Sequence, residues 1–223
     1  MFNTISTATT SVFERCMDPS AEGTFRGLLA KERGLAHREV SPWAALEGFR
    51  QTPTGTVAAY ELVFSPPRSW SIVWGLADRD TDGANLDRAH AAAVTATMEY
   101  VEHEYTYTRR GVNGVRQIDT TGLLWAQFEH FADGLGRPDR HTHAMIGARV
   151  VGSDGEWGPL DPRPLLQVEE AGLFDAYYRG RLVGFSREFV GMRFEEREPN
   201  HPGDESRLEV VGVPDELIAS FFA

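Results

Sequence analysis

The strongest constraint on this chain lies between Phe128 and Ile146. Phe128-Glu129-His130 is followed, after ten residues, by His141-Thr142-His143-Ala144-Met145-Ile146. Residues i and i+2 of an extended strand point to the same face, so His141 and His143 present two imidazoles side by side. His130 can close the set from upstream. From His141 onward the chain reads as a strand with a polar face (His141, His143, Met145, Arg149) and an apolar one (Ala144, Ile146, Ala148, Val150). That pattern fits a sheet packed on helices behind an open front. Three neutral imidazoles there make a site for a borderline divalent ion and leave coordination positions for water or a phosphate oxygen. A lone His-x-His is more often incidental than ligating; the third histidine shifts that balance.

At 223 residues, with five Trp and thirteen Phe, the chain can bury one sizeable core, and the expected class is a single α+β domain. Cys16 is the only cysteine, which excludes an intramolecular disulfide framework and a multi-cysteine zinc site and fits a reducing cytoplasm. No apolar run reaches the roughly 20 residues of a membrane span, and Met1–Thr10 lacks the basic start of a signal peptide. A formal charge of -11 argues against non-specific nucleic-acid binding but leaves room for a local basic face. Lys31 is the only lysine, so such a face would be built from arginine.

Along the chain, residues 1–24 are a poorly defined, Ser/Thr-rich segment. A short helix is predicted over Phe25–Ala30, capped by Asp18 or Ser20, and a connecting loop over Gly34–Thr56. Val57–Phe64 is the first clear strand, with Tyr60, Leu62 and Phe64 on one face and Ala59, Glu61 and Val63 on the other. Glu61 gains interest only if it shares the histidine face. Trp70, Val73, Trp74 and Ala77 recur at helical spacing and read as core. A second helix is predicted over Leu86–Tyr107, with His90 at the core edge and Glu99, Glu102 and Glu104 on a solvated face. Arg109-Arg110-Gly111 reads as a basic turn leading into strands over Val115–Thr121 and Leu123–His130. After an Asp154-Gly155 turn, a helix is predicted over Pro164–Leu182 with Pro164 at its first position. A hairpin of Phe189–Glu195 with Leu208–Val211 follows, and Pro214-Asp215-Glu216 opens a last helix.

Several of these runs resemble the relaxase domain of MobF-type (TrwC/TraI-like) conjugative relaxases, members of the HUH endonuclease superfamily. They are Tyr107-Thr108-Arg109-Arg110-Gly111, Gly122-Leu123-Leu124-Trp125-Ala126-Gln127-Phe128-Glu129-His130, and Pro138 before His141-Thr142-His143. Glu61-Leu62-Val63-Phe64-Ser65-Pro66-Pro67-Arg68-Ser69 and Gly212-Val213-Pro214-Asp215-Glu216-Leu217-Ile218 also find counterparts in order. The resemblance covers about residues 18–221 and places a relaxase-like domain over 25–223. It implies a central antiparallel β-sheet backed by helices, with single-stranded DNA across the palm. It also implies metal-dependent nicking and strand transfer at an origin of transfer during plasmid mobilisation, by attack of a tyrosine on the scissile phosphate. His130, His141 and His143 carry over as metal ligands, for Mg²⁺ or Mn²⁺ with Zn²⁺ as the alternative. Glu61 falls on the family's strand Asp, which orients a ligand histidine or helps deprotonate the nucleophile. Arg68, which keeps the charge of the family's Lys, stands with Arg109, Arg110 and Arg149 as a DNA contact. The implied partners are single-stranded DNA, an origin hairpin and other relaxosome proteins.

Two departures qualify the resemblance. Phe131–Arg140 lacks the loop residues usual there. The family's nucleophilic tyrosines lie in its first few tens of residues, whereas the first tyrosine here is Tyr60. The nucleophile is therefore unknown. The readings open at this point are a chain shortened at its start, which would also lack the family's first strand, a relative that binds DNA or uses water as a phosphodiesterase, and a substitute nucleophile.

Overall fold

A computed structural model of the chain describes residues 6–7, 22–49, 57–199 and 206–222. The elements, in chain order, are β1 (Ser6–Thr7), β2 (Gly23–Arg26), α1 (Leu28–Glu32), β3 (Glu39–Val40), α2 (Pro42–Phe49), β4 (Ala59–Phe64), α3 (Arg68–Leu76) and α4 (Asp82–Glu104). They continue with β5 (Tyr107–Arg110), β6 (Arg116–Asp119), β7 (Trp125–Ala132), β8 (Pro138–Gly147), β9 (Arg149–Val151), β10 (Trp157–Pro159), α5 (Pro162–Glu170), α6 (Leu173–Val190), β11 (Phe194–Arg197), β12 (Arg207–Val210) and α7 (Asp215–Phe221). Six strands form one sheet in the order β1-β4-β8-β7-β2-β3, with β5-β6, β9-β10 and β11-β12 as separate hairpins. The pairings of β1 with β4, β4 with β8, and β2 with β7 are antiparallel. This is the α+β class expected, and β1 supplies a two-residue edge beside β4.

The chain divides into two compact units, one of residues 1–64, 97–129 and 142–175, the other of 65–96, 130–141 and 176–223. In the first, the register Glu61↔Met145 and Val63↔His143 puts Ala59, Glu61, Val63, His143 and Met145 on one face. Ala59 and Met145 enter a buried cluster with Leu29, Ala30, Ala45, Leu46, Phe49, Ala126 and Phe128. The open polar front expected for β8 is thus closed at Met145, which is 1% exposed. Of the two helices that close it, α1 overlaps the helix expected over Phe25–Ala30, and α2 lies within the stretch expected as loop. Pro42 opens α2 as its first residue, a position that has no partner for an N–H in any case, and residues 50–56 lie outside the described ones.

Two more local readings change in this unit. Phe25 and Arg26 belong to β2, and the helix starts only after Gly27, whose φ of 97° suits glycine; Asp18 and Ser20 lie outside the described residues. A Cβ on Gly27 would collide with the Leu123 carbonyl, and one on Gly122 would meet Leu28 Cβ at 2.5 Å. Glu102 seals this close approach. Its Oε1 accepts N–H bonds from Leu28 at 2.8 Å and Leu123 at 2.5 Å, so it is a buried brace and not part of a solvated face. Burial raises its pKa while the two N–H donors oppose the shift. The helix carrying it ends at Glu104, and Tyr107 starts β5. Further on, the single helix predicted over Pro164–Leu182 is two. Asp161 caps α5 with Pro162 at the first position, and the break falls at Gly172, φ 70°.

In the second unit Trp70 and Trp74 are fully buried, as expected of core. Their indole N–H groups donate to Ser186 Oγ at 3.0 Å and Asp87 Oδ1 at 3.1 Å. Ser69 accepts from the Val210 N–H at 2.7 Å and its own N–H donates to Glu209 Oε2, tying α3 to the β11-β12 hairpin. Phe189 ends in α6, so that hairpin starts later than predicted, and its connecting loop lies outside the described residues. No helix among the described residues is long and apolar enough to cross a membrane.

Candidate metal centre

β7 and β8 are neighbouring strands of the sheet, and their alternation points His130, His141 and His143 to one side. Each imidazole offers a nitrogen within 4.8 Å of those of the other two. The rings of His130 and His141 meet edge-on, with centroids 5.0 Å apart.

Two of the three rings are fixed through Nδ1. His143 Nδ1 lies 2.7 Å from Glu61 Oε1, and His141 Nδ1 lies 2.8 Å from the Asp139 carbonyl. An acceptor at Nδ1 holds the proton there and turns Nε2, with its lone pair, toward a cation. Glu61 and His143 are 8% and 6% exposed, so the carboxylate acts in a weakly screened setting. Three imidazoles, two of them oriented through Nδ1, are a donor set that fits a divalent ion of intermediate softness. Glu61 lies on the histidine face, the condition under which it becomes informative.

Sequence reasoning missed the support beneath this set. Arg140, between the loop and His141, is 1% exposed. Its Nε donates to Asp87 Oδ1 at 3.0 Å, and its Nη1 donates to the His141 carbonyl at 3.2 Å and reaches the His130 carbonyl at 3.5 Å. Its guanidinium also stacks over Phe131 at 4.7 Å. One side chain therefore ties the backbone of two ligand positions to α4. The signal was present in the alternation: Arg140 shares the parity of Thr142, Ala144 and Ile146, so a charge stood at an apolar-face position. His90 is fully buried rather than at the core edge, with Nδ1 2.8 Å from the Tyr178 hydroxyl. Burial, then the Arg140 and His141 charges, push its pKa well below the usual 6.5.

The arginines singled out as DNA contacts hold different partners. Arg109 donates to Asp161 Oδ2 at 2.7 Å and to the Gly114 carbonyl, and Arg110 forks onto Asp154 at 2.8 and 2.9 Å. Both lie in β5, not in a turn. Arg68 stacks over Phe222 and Arg149 over Trp157. Tyr60, the first tyrosine, alternates onto the face opposite Glu61, and burial followed by the Asp161 charge raises its pKa. The other five tyrosine hydroxyls bond elsewhere: Tyr100 with Tyr105, Tyr107 with the Glu104 carbonyl, Tyr177 with Arg181, and Tyr178 with His90.

The TrwC relaxase family model matches residues 9–222. Among solved structures, the metal-bound conjugative relaxase TrwC in complex with OriT DNA superposes with a TM-score of 0.77 at 21% identity, covering 98% of this chain and 78% of that one. TrwC complexed with a 27-mer DNA comprising the recognition hairpin and the cleavage site gives 0.77 at 23%, with the same coverage. The metal-free TrwC complex gives 0.76 at 21%, again with the same coverage. No curated protein matched. The fold, the three-histidine cluster and the family match over nearly the whole chain agree, and this chain belongs to the TrwC relaxase family.

Proposed function

We propose that this chain binds single-stranded DNA at an origin of transfer and that its three-histidine centre serves phosphodiester cleavage and strand transfer in the cytoplasm. The observation that carries this reading is the cluster itself, with His130, His141 and His143 within ligand distance and His143 oriented by a buried carboxylate. A divalent ion held there would polarise a phosphate oxygen and stabilise charge on the phosphorane. Glu61 fixes the His143 tautomer and raises the basicity of its Nε2 toward the ion. Arg140 keeps the His130 and His141 backbone in place. Arg149 and Arg68, which among the described residues lie against aromatic rings and not on carboxylates, serve as backbone contacts. Arg109 and Arg110 would meet DNA only by sharing their carboxylate-bound forks. Other relaxosome proteins are further proposed partners.

A second reading has its own support in the tyrosines. Each hydroxyl of Tyr100, Tyr105, Tyr107, Tyr177 and Tyr178 has a partner outside the cluster, and Tyr60 faces away from Glu61. Within this sequence, binding alone or hydrolysis by water is then the chemistry that needs no tyrosine. Incubating the protein with an end-labelled single strand that carries a hairpin and a tail, with Mn²⁺, separates these. A covalent protein–DNA band supports transesterification, product without adduct supports hydrolysis, and retention without product supports binding alone. Failure to retain any single strand at low salt refutes the DNA reading.

A further inference from the structure

A cleft of about 130 Å³ in the first unit is lined by Arg33, Phe49, Leu124, Gly147, Arg149 and Trp157. Arg33 follows α1, and Arg149 and Trp157 come from the β9-β10 hairpin. Both guanidinia are gathered on one indole, Arg33 at 4.6 Å and Arg149 at 5.2 Å from the ring centroid. Trp157 itself remains 37% exposed.

Neither cation forms an ion pair among the described residues, whereas Arg109, Arg110, Arg163, Arg197 and Arg207 all rest on carboxylates. At Phe222, where Arg68 and Arg137 also share one ring, Arg137 rests on Asp133; at Trp157 neither of the two cations has such a partner among the described residues. The indole attracts each guanidinium but does not neutralise their mutual repulsion, which a bridging anion would relieve. Guanidinium forks match phosphate oxygens, and the part of the indole left exposed beside them accepts any base. The cleft is well below the roughly 300 Å³ at which pockets enclose whole small ligands, so it suits one group of a longer polymer. Gly147 lies four residues from His143 on β8, about 13 Å at the rise of a strand.

We infer that the Arg33–Trp157–Arg149 cleft binds one phosphate of single-stranded DNA away from the scissile position, with the adjoining base against Trp157. This rests on the DNA reading above and gives that DNA a second anchor, beyond Met145 from His143 along β8.

The test is the salt dependence of binding to a labelled oligothymidylate of about a dozen nucleotides. Each phosphate neutralised on a single strand contributes about 0.7 to the slope of log K against log salt. Arg33→Gln combined with Arg149→Gln should lower the slope by about 0.7, the value for one bridged phosphate. Trp157→Ala should weaken binding about tenfold. Arg187→Gln, an exposed control, should leave the slope as it is. A double variant with the wild-type slope, or one no different from Arg187→Gln, overturns the cleft assignment and leaves the DNA reading standing. If the wild type binds no strand at low salt, both fall. Should the double variant not fold, Arg33→Gln alone, at its exposed position, should lower the slope by part of that amount, and a slope equal to that of Arg187→Gln overturns the assignment.

Discussion

Replacing Arg140 with Met tests whether the histidines depend on a support that is not itself a ligand. Removing one member of a buried charge pair costs about 3–5 kcal/mol. Here the Asp87 side chain is 37% exposed and regains water, and Met keeps the apolar stem, so the cost falls to about 2–3 kcal/mol. For a chain of this size that lowers Tm by about 5–10 °C. With the His141 carbonyl no longer held, metal affinity should fall about tenfold even where the variant is fully folded. Thermal unfolding followed by circular dichroism reads the first effect, and Mn²⁺ titration well below the variant's Tm reads the second. A Tm within about 1 °C of wild type together with unchanged affinity refutes the assignment.

Glu61→Gln keeps shape but removes the charge beside His143, and metal affinity by titration calorimetry should fall 10- to 100-fold, about 1.4–2.7 kcal/mol. Glu102→Ala leaves the Leu28 and Leu123 N–H groups without an acceptor and should cost about 2–4 kcal/mol in urea unfolding. Glu169 has its pKa raised by burial and by Asp175 from the usual 4.5 to about 7. Below pH 4.5 both states are protonated and nothing is lost. Between 4.5 and 7 the unfolded chain ionises first, so stability falls as pH rises and the loss is complete above 7. Glu169→Gln should therefore match wild type at pH 4 and, after allowance for partial exposure, exceed it by about 1 kcal/mol at pH 8 in the same assay.

The parts of the site legible in the sequence were those written in local alternation. His141 and His143 share a face by parity, and Glu61 has the parity that meets them in the antiparallel register. Pairing, by contrast, is not local. Met145 reads as polar-face by parity yet is buried, because α1 and α2 cover that end of the sheet, and α2 was hidden behind Pro42 and Gly48, residues that signal loops as readily as helix ends. Glu102 looked like one of three solvated acids, and only its long-range partners Leu28 and Leu123 distinguish it. Phe25-Arg26 was placed in a helix because its apolar run continues into Leu28-Leu29, with the strand ending only at the left-handed Gly27. Arg109 and Arg110 have carboxylate partners 44 or more residues away, beyond any sequence window.

The central claim is that His130, His141 and His143 hold one divalent ion. Titrating Mn²⁺ into the wild type and into His143→Ala, with folding of both checked by circular dichroism, tests it most directly. One equivalent should bind the wild type and none the variant; a folded His143→Ala protein that still takes up one equivalent with wild-type affinity would contradict the account.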